Sequence, residues 1–309
     1  MEDILPVNII SDILLRLPVK TVISCKCVCK KWRDLVSDPY FAHLHHSRSP
    51  QCLMIYNGWT ANLVDIGHAV DDYERLTLTH VKSLNLNLST AVLANRPLVQ
   101  LGSVNGLIFV CHRCTPLFIF NPVFGEYMII PKPRISHFLS LSYGFGVSTA
   151  GEYKVIRICG EIFPQNEPEE DEGYIFDIDI VEVDVYTIGT GRWRSLGRTP
   201  LNLRRVVQHG MFLNGHVYWI SEGQIYDFDL TTETFELFPS PPGDNEESKQ
   251  MLGVLNGNLS RFSWSSLGFT VWVMKECCFK SGCDWLQLAT TKDVTVHELW
   301  ALSAYGDCI

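Results

Sequence analysis

Positive charge is scarce in this sequence. Lys and Arg number 25 against 34 Asp and Glu, a formal net charge of -9 over 309 residues. Nucleic-acid affinity rests mostly on Lys and Arg at phosphates, so no nucleic-acid partner is expected. No continuous apolar run reaches the length of about 18 residues that a membrane helix needs, and no membrane partner is expected. The N-terminus, Met1-Glu2-Asp3, lacks the basic region and apolar core of a secretory signal. The expected compartment is therefore reducing, cytoplasmic and/or nuclear. The 11 cysteines, odd in number and irregularly spaced, read mostly as free thiols. Asn87-Leu88-Ser89 and Asn258-Leu259-Ser260 fit the glycosylation sequon but carry no weight in such a compartment. Catalytic signatures are missing too: no GxSxG elbow, HExxH helix, GxxxxGK[ST] loop or GxGxxG opening is found. Gly189-Thr190-Gly191 runs into Arg192-Trp193-Arg194 and reads as a hairpin turn. No catalytic residue, metal or cofactor is expected.

Glycine is absent from the first 48 residues, and all 22 glycines follow. The chain thus divides into a helical segment, 1–48, and a β segment, 50–309, an α+β multidomain organisation. Pro6 suits a first helical turn, where its missing N–H has no partner to lose. Ile9, Ile10, Ile13, Leu14 and Leu17 then recur at helical spacing, and Pro18 stops the helix. A second short helix would hold Val22 and Ile23. A third would hold Val28, Trp32, Leu35 and Val36, with Lys30, Lys31, Arg33 and Asp34 in the polar slots. Asp38-Pro39 breaks again, and Tyr40, Phe41 and Leu44 suggest a last turn packing back. So small a helical unit buries little surface by itself. Either its apolar face docks on the β segment, or another protein's helices complete it.

Leu5-Pro6, Ile13-Leu14-Leu15-Arg16-Leu17-Pro18-Val19-Lys20, Val28-Cys29-Lys30-Lys31-Trp32-Arg33-Asp34-Leu35 and Asp38-Pro39-Tyr40-Phe41 together resemble the F-box motif almost end to end. The chain looks most like the plant F-box proteins that carry an F-box-associated domain. That resemblance implies a small three-helix F-box that docks on a Skp-type adaptor and, through it, on a cullin ubiquitin ligase. It assigns Leu5, Pro6, Ile9, Ile13, Leu14, Leu17, Pro18, Val28, Cys29, Trp32 and Leu35 to the module, without separating adaptor contacts from internal core.

In the β segment, Asn-Gly pairs stand between apolar runs at Asn57-Gly58, Asn105-Gly106, Asn214-Gly215 and Asn256-Gly257, a strong hairpin signal. A second unit recurs: an alternating strand, a polar turn, then a strand opening on an aromatic. Phe118–Asn121 leads to Tyr127, Val183–Tyr186 to Trp193, Tyr226–Leu230 to Phe235, and Val271–Met274 to Trp285. Periods of about 40–50 residues suggest about five blade-like repeats of a propeller-like (kelch/WD-like) domain; a β-sandwich with similar turn spacing is the alternative. Gly102–Leu107, Gly144-Phe145-Gly146, Tyr153-Lys154-Val155, Trp193–Leu196, Leu213-Asn214-Gly215 and Trp272–Glu276 resemble F-box-associated landmarks. The run Cys277-Cys278-Phe279-Lys280-Ser281-Gly282-Cys283 departs from that pattern. The expectation is a ring that is truncated or incompletely closed, sealed by 51–56 or 294–302 if it closes at all. The acidic stretch 164–172 reads as a solvated loop, and the phase slip at Ile180-Val181 as a bulge.

Cys111-His112-Arg113-Cys114 has CxxC spacing without a matching second pair nearby, so free thiols are the default over zinc. Cys25, Cys27 and Cys29 sit two apart on predicted helices and cannot all face one ion, and His43, His45 and His46, clustered near the module boundary, read as polar surface rather than as ligands. The leading expectation is a non-catalytic substrate-recognition subunit of a Skp–cullin–F-box ubiquitin ligase, with an unknown protein client on the β domain. The alternatives are a truncated decoy or an F-box protein acting outside the ligase, and a propeller enzyme using groups such as His209, His216 and Asp227 around a central channel.

Overall fold

The computed structural model describes residues 6–48, 52–56, 61–67, 77–84, 98–112, 116–121, 124–133, 138–163, 177–199, 208–241, 249–255, 257–265, 268–278 and 282–291. The first of these segments is helical: α1 (Val7–Leu14), α2 (Val19–Ser24), a 3-10 turn (Cys25–Cys27), α3 (Lys30–Ser37) and α4 (Pro39–Ser47). Four α-helices thus replace the three expected. The last turn is a full helix because Asp38 caps it, its carboxylate accepting from the Tyr40 N–H at 2.8 Å, and Pro39 occupies its first turn.

The β segment forms five antiparallel sheets, each a run of consecutive strands. Sheet 1 has three: β1 (Cys52–Tyr56), β2 (Ala61–Gly67) and β3 (Thr77–Leu84). The others have four. Sheet 2 holds β4 (Leu98–Val104), β5 (Leu107–His112), β6 (Leu117–Asn121) and β7 (Glu126–Ile130), and sheet 3 holds β8 (Phe138–Val147), β9 (Tyr153–Phe163), β10 (Asp177–Thr187) and β11 (Trp193–Arg198). Sheet 4 holds β12 (Met211–Leu213), β13 (His216–Ser221), β14 (Gln224–Asp229) and β15 (Thr234–Phe238), and sheet 5 holds β16 (Lys249–Leu255), β17 (Asn258–Ser265), β18 (Gly268–Cys278) and β19 (Gly282–Thr291).

Local chemistry explains the hairpins. Asn105 and Gly106 both have positive φ, as do Asn214 and Gly215, so the β4–β5 and β12–β13 turns match the right-handed twist of their strands. Asn57-Gly58 and Asn256 lie outside the described residues, as does 294–302. The expected slip near Ile180 is a register shift between Ile178 and Val181 in the β9–β10 pairing.

Sheets 2 to 5 stack face to face in chain order. Leu101, Phe109, Leu117 and Ile119 of sheet 2 pack on Tyr143, Phe145 and Val155 of sheet 3. Ile156, Ile158, Val183 and Val185 of sheet 3 cluster with Val217, Trp219, Phe228 and Leu230 of sheet 4. Tyr218, Ile220, Ile225 and Phe238 of sheet 4 meet Leu252, Leu259 and Met274 of sheet 5. The first strands of successive sheets touch, β4 to β8, β8 to β12 and β12 to β16. Trp219 fixes the middle interface. Its indole N–H donates to Ser142 Oγ at 3.0 Å, and a Cβ at Gly144 would stand 2.6 Å from its ring. Only glycine leaves room for that ring.

A staple repeats across alternate interfaces. The Trp193 indole N–H of β11 donates to the Pro131 carbonyl just past β7, at 2.7 Å. The Trp285 indole N–H of β19 donates to the Pro239 carbonyl just past β15, at 3.0 Å. Phe235 holds the equivalent place in sheet 4 and has no N–H to give.

Candidate functional site

The helical module has a core of its own. Leu14, Leu15, Val22, Val36 and Phe41 are buried together, with Ile10, Leu17, Cys25, Trp32, Leu35 and Leu44 half-buried around them. His45 Nε2–H donates to the Leu17 carbonyl at 2.9 Å and ties α4 to the chain after α1. Outside, Asp12 accepts from Arg16 at 2.7 Å and from Arg48 at 3.3 Å. The hydrogen bond from Arg16, then that from Arg48, holds its carboxyl below the usual range.

The residues assigned to the module separate into two groups. Leu14 is core, and Leu17, Trp32 and Leu35 are half-buried against it. Pro6, Ile9, Ile13, Pro18, Val28 and Cys29 are exposed, and Leu5 lies outside the described residues. Pro18 and Cys29 precede α2 and α3 directly. Ile9 and Ile13, 43% and 47% exposed, are one helical turn apart on α1, and Val28 is 63% exposed. Val7 and Tyr40 are also exposed and were not among the residues assigned to the module. Helix α1 is therefore apolar on two faces. The inner face is used by the module's own core. The outer one carries Ile9 and Ile13.

The β sheets place other sequence candidates apart. His216 Nδ1 pairs with Asp227 Oδ1 at 2.8 Å across β13 and β14. The hydrogen bond to Asp227, opposed by burial, raises the His216 pKa. His209 instead accepts the Tyr143 N–H on Nδ1 at 3.3 Å, and burial pushes its pKa down to about 4. The three groups do not converge as an acid–base set. Between sheets 3 and 4, Lys154 Nζ donates to the Leu230 carbonyl (2.8 Å), Glu233 (2.9 Å) and Glu152 (3.2 Å), and Arg194 also pairs with Glu233. Burial opposes the Lys154 charge, but the Glu233 and Glu152 hydrogen bonds outweigh it, so its pKa is raised. Burial likewise opposes the Glu233 charge, and Arg194 and Lys154 outweigh it, so its pKa is lowered.

Cys25 is half-buried, Cys27 and Cys29 are exposed, and Cys111 and Cys159 are buried, all as free thiols. Burial, chiefly, pushes the Cys159 thiol up to about 12. Among the described residues no three His, Cys, Asp or Glu side chains could hold a metal ion together. Cys114 and the stretch 164–172 lie outside them. No helix among them is long and apolar enough to cross a membrane. Among the described residues, the exposed large apolar side chains of the β domain are Phe124 in a turn, Tyr127 and Ile129 on one face of β7, Leu237 on β15 and Leu286 on β19.

Comparison with known families gives two matches. An F-box domain model matches residues 3–44, and an F-box associated beta propeller domain model matches residues 62–306. The chain belongs to the F-box-associated family. Its relatives are plant F-box proteins. An F-box/kelch-repeat protein of Arabidopsis thaliana is 28% identical over 77% of this chain and 61% of the relative. F-box protein CPR1 of the same plant is 27% identical over 88% of this chain and 70% of the relative. The chain spans 61% and 65% of the length of two of its curated relatives. Among solved structures, an oligogalacturonate lyase in complex with manganese superposes with a TM-score of 0.41 at 9% identity, over 78% of this chain and 67% of that one. So slight a likeness carries no chemistry across.

Proposed function

We propose that this F-box-associated protein is a non-catalytic substrate receptor of a Skp–cullin–F-box ubiquitin ligase. Residues 1–48 hold a Skp-type adaptor and, through it, the cullin. Residues 50–309 form a propeller of about five blades that holds a protein client. The receptor works by proximity: it raises the effective concentration of a client lysine near ubiquitin activated elsewhere in the complex. Such a protein works in the cytoplasm or nucleus.

The observation that carries this reading is the outer face of α1 with Val28. These side chains stay in water although the module's own core is full. The adaptor contacts are then Ile9, Ile13, Val28 and the flanking Pro6, Pro18 and Cys29, while Leu14, Leu17, Trp32 and Leu35 support them from inside.

The test is co-purification with a Skp-type adaptor. An Ile13→Asp, Val28→Asp variant should keep the wild-type helical signal and lose adaptor affinity at least about a hundredfold, since each site buries apolar surface on docking and would trap a charge there. Equal adaptor recovery by wild type and variant would overturn the proposal. Leu14→Asp is the wrong probe, because it breaks the core whether or not a partner exists.

A further inference from the structure

We propose that the adaptor surface has a basic rim, Lys20, Lys30 and Arg33 beside the apolar contact, and that this rim takes an acidic patch on the adaptor. The proposal rests on the reading of residues 1–48 as the adaptor-binding module and adds the chemistry of the partner to it.

Charge is unevenly divided along the chain. Residues 1–48 hold seven Lys and Arg against five Asp and Glu, whereas 49–309 hold 18 against 29. Within the module the excess is concentrated again. Residues 20–34 contain five cations, Lys20, Lys26, Lys30, Lys31 and Arg33, and one anion, Asp34. Lys26 is half-buried and the other four cations are exposed. The remaining carboxylates among the module's described residues are engaged elsewhere. Asp12 accepts from Arg16 and Arg48, and Asp38 caps α4.

Three of the exposed cations adjoin residues of the proposed contact. Lys20 is two residues past Pro18, and Lys30 follows Cys29 directly. Arg33 Nε–H donates to the Lys26 carbonyl at 3.4 Å, which ties α3 to the 3-10 turn that ends just before Val28. Positive charge thus borders Pro18, Val28 and Cys29.

Exposed charges at the edge of an apolar contact add little to equilibrium affinity, because they stay hydrated and are screened by salt. They act on the approach. An opposite charge on the partner speeds association and makes it fall as salt rises. The net charge of -9 on the whole chain acts in the other direction, since it repels an acidic partner and makes association rise with salt. The sign of the salt dependence therefore separates the rim from the chain as a whole.

The test follows association and dissociation of the full-length protein with a recombinant Skp-type adaptor, by surface plasmon resonance, from about 50 to about 500 mM salt. Wild-type association should slow at least about fivefold over that range. At low salt, Lys20→Glu, Lys30→Glu should associate at least about fivefold more slowly than wild type, with dissociation within about twofold. Both substitutions fall in the first turn of a helix, where an anion is favoured, so the circular dichroism should stay that of wild type. Arg192→Glu, Arg198→Glu makes the same change of net charge at exposed positions beside and on β11, and should leave the association rate within about twofold. A Lys20→Glu, Lys30→Glu variant that associates as fast as wild type, or that is weakened only through faster dissociation, overturns the proposal and leaves the adaptor reading standing. Equal slowing by the two double variants does the same, because it assigns the effect to net charge. If the wild-type chain binds no adaptor, the adaptor reading and this proposal fall together.

Discussion

Lys154 joins two sheets through a single ammonium group, so Lys154→Met asks how much of the interface depends on charge. The side chain is only 5% exposed and Glu233 14%. Methionine keeps the apolar stem and removes the donor. Two charge-assisted hydrogen bonds to buried partners disappear, to Glu233 and to the Leu230 carbonyl, together with the pair to the exposed Glu152. Bonds of that kind contribute about 1.5–3 kcal/mol each. Against this stands the relief of a buried ammonium, which offsets part of the loss. Glu233 keeps Arg194, so its carboxylate is not stranded. The balance is a loss of about 2–3 kcal/mol. Denaturant unfolding followed by tryptophan fluorescence measures it, since seven of the eight tryptophans lie beyond residue 48. Adding Glu233→Gln to Lys154→Met should cost less than the two changes separately, with a coupling of about 1–2 kcal/mol. The pH dependence follows in sign. Glu233 titrates below its ordinary 4.5 in the folded state, so its contribution is full above that value and lost as pH falls through the folded pKa. Lys154 titrates above its ordinary 10.5, so its contribution is lost only as pH rises past that value. The gap between wild type and Lys154→Met should therefore be flat around neutrality and close in acid. A cost under about 0.5 kcal/mol at pH 7, or strict additivity in the double variant, would refute the reasoning.

Gly144→Ala should destabilise the sheet 3–sheet 4 interface by about 1–3 kcal/mol, because its Cβ would meet the Trp219 ring at 2.6 Å while Ser142 pins the indole; the near-ultraviolet circular dichroism of the folded protein should change with it. His209 is held neutral, with its folded pKa near 4 against an ordinary 6.5, so the folded chain should lose stability as pH falls from about 6.5 towards 4, and His209→Asn, which keeps an acceptor for the Tyr143 N–H, should flatten that slope in urea midpoints. Trp285→Phe should cost about 0.5–1.5 kcal/mol by removing the donor to the Pro239 carbonyl, and hydrogen exchange of β19 amides should quicken while β5 and β6 stay unchanged.

Turn chemistry made the hairpins legible in the sequence where it was distinctive. Asn105-Gly106 and Asn214-Gly215 could be read directly, because few residue pairs accept positive φ twice in succession. Glu222-Gly223 makes the same kind of turn between β13 and β14, with φ of 50° and 77°, and gave no signal, since glutamate is not a turn residue by propensity. The aromatics at 127, 193, 235 and 285 were read as core between repeats. Trp193, Phe235 and Trp285 do pack against the inter-sheet clusters; Trp193 and Trp285 also bridge to prolines 62 and 46 residues away, a partnership that no local pattern encodes. Helix α4 was reduced to a turn because Asp38-Pro39 was read as a break, whereas Asp before Pro also starts a helix. The Lys154 cluster could not be foreseen for a similar reason: Lys154, Arg194 and Glu233 meet only after two sheets have stacked.

The same limit explains why the motif could not separate contact residues from core. Ile9, Ile10, Ile13 and Leu14 are equivalent in hydrophobicity, and helical periodicity yields one broad stripe when all four are apolar. Only the position of α2, α3 and α4 decides which half of the stripe is covered. Ile10 and Leu14 fall under those helices, while Ile9 and Ile13, about 100° away around the axis, do not. A solitary exposed leucine or isoleucine is ordinary on a protein surface. An i, i+4 isoleucine pair together with Val28 on a unit this small is the observation on which the proposed adaptor contact rests. On the β domain, Tyr127 and Ile129 share one face of β7, while Leu237 on β15 and Leu286 on β19 are single exposed side chains among the described residues.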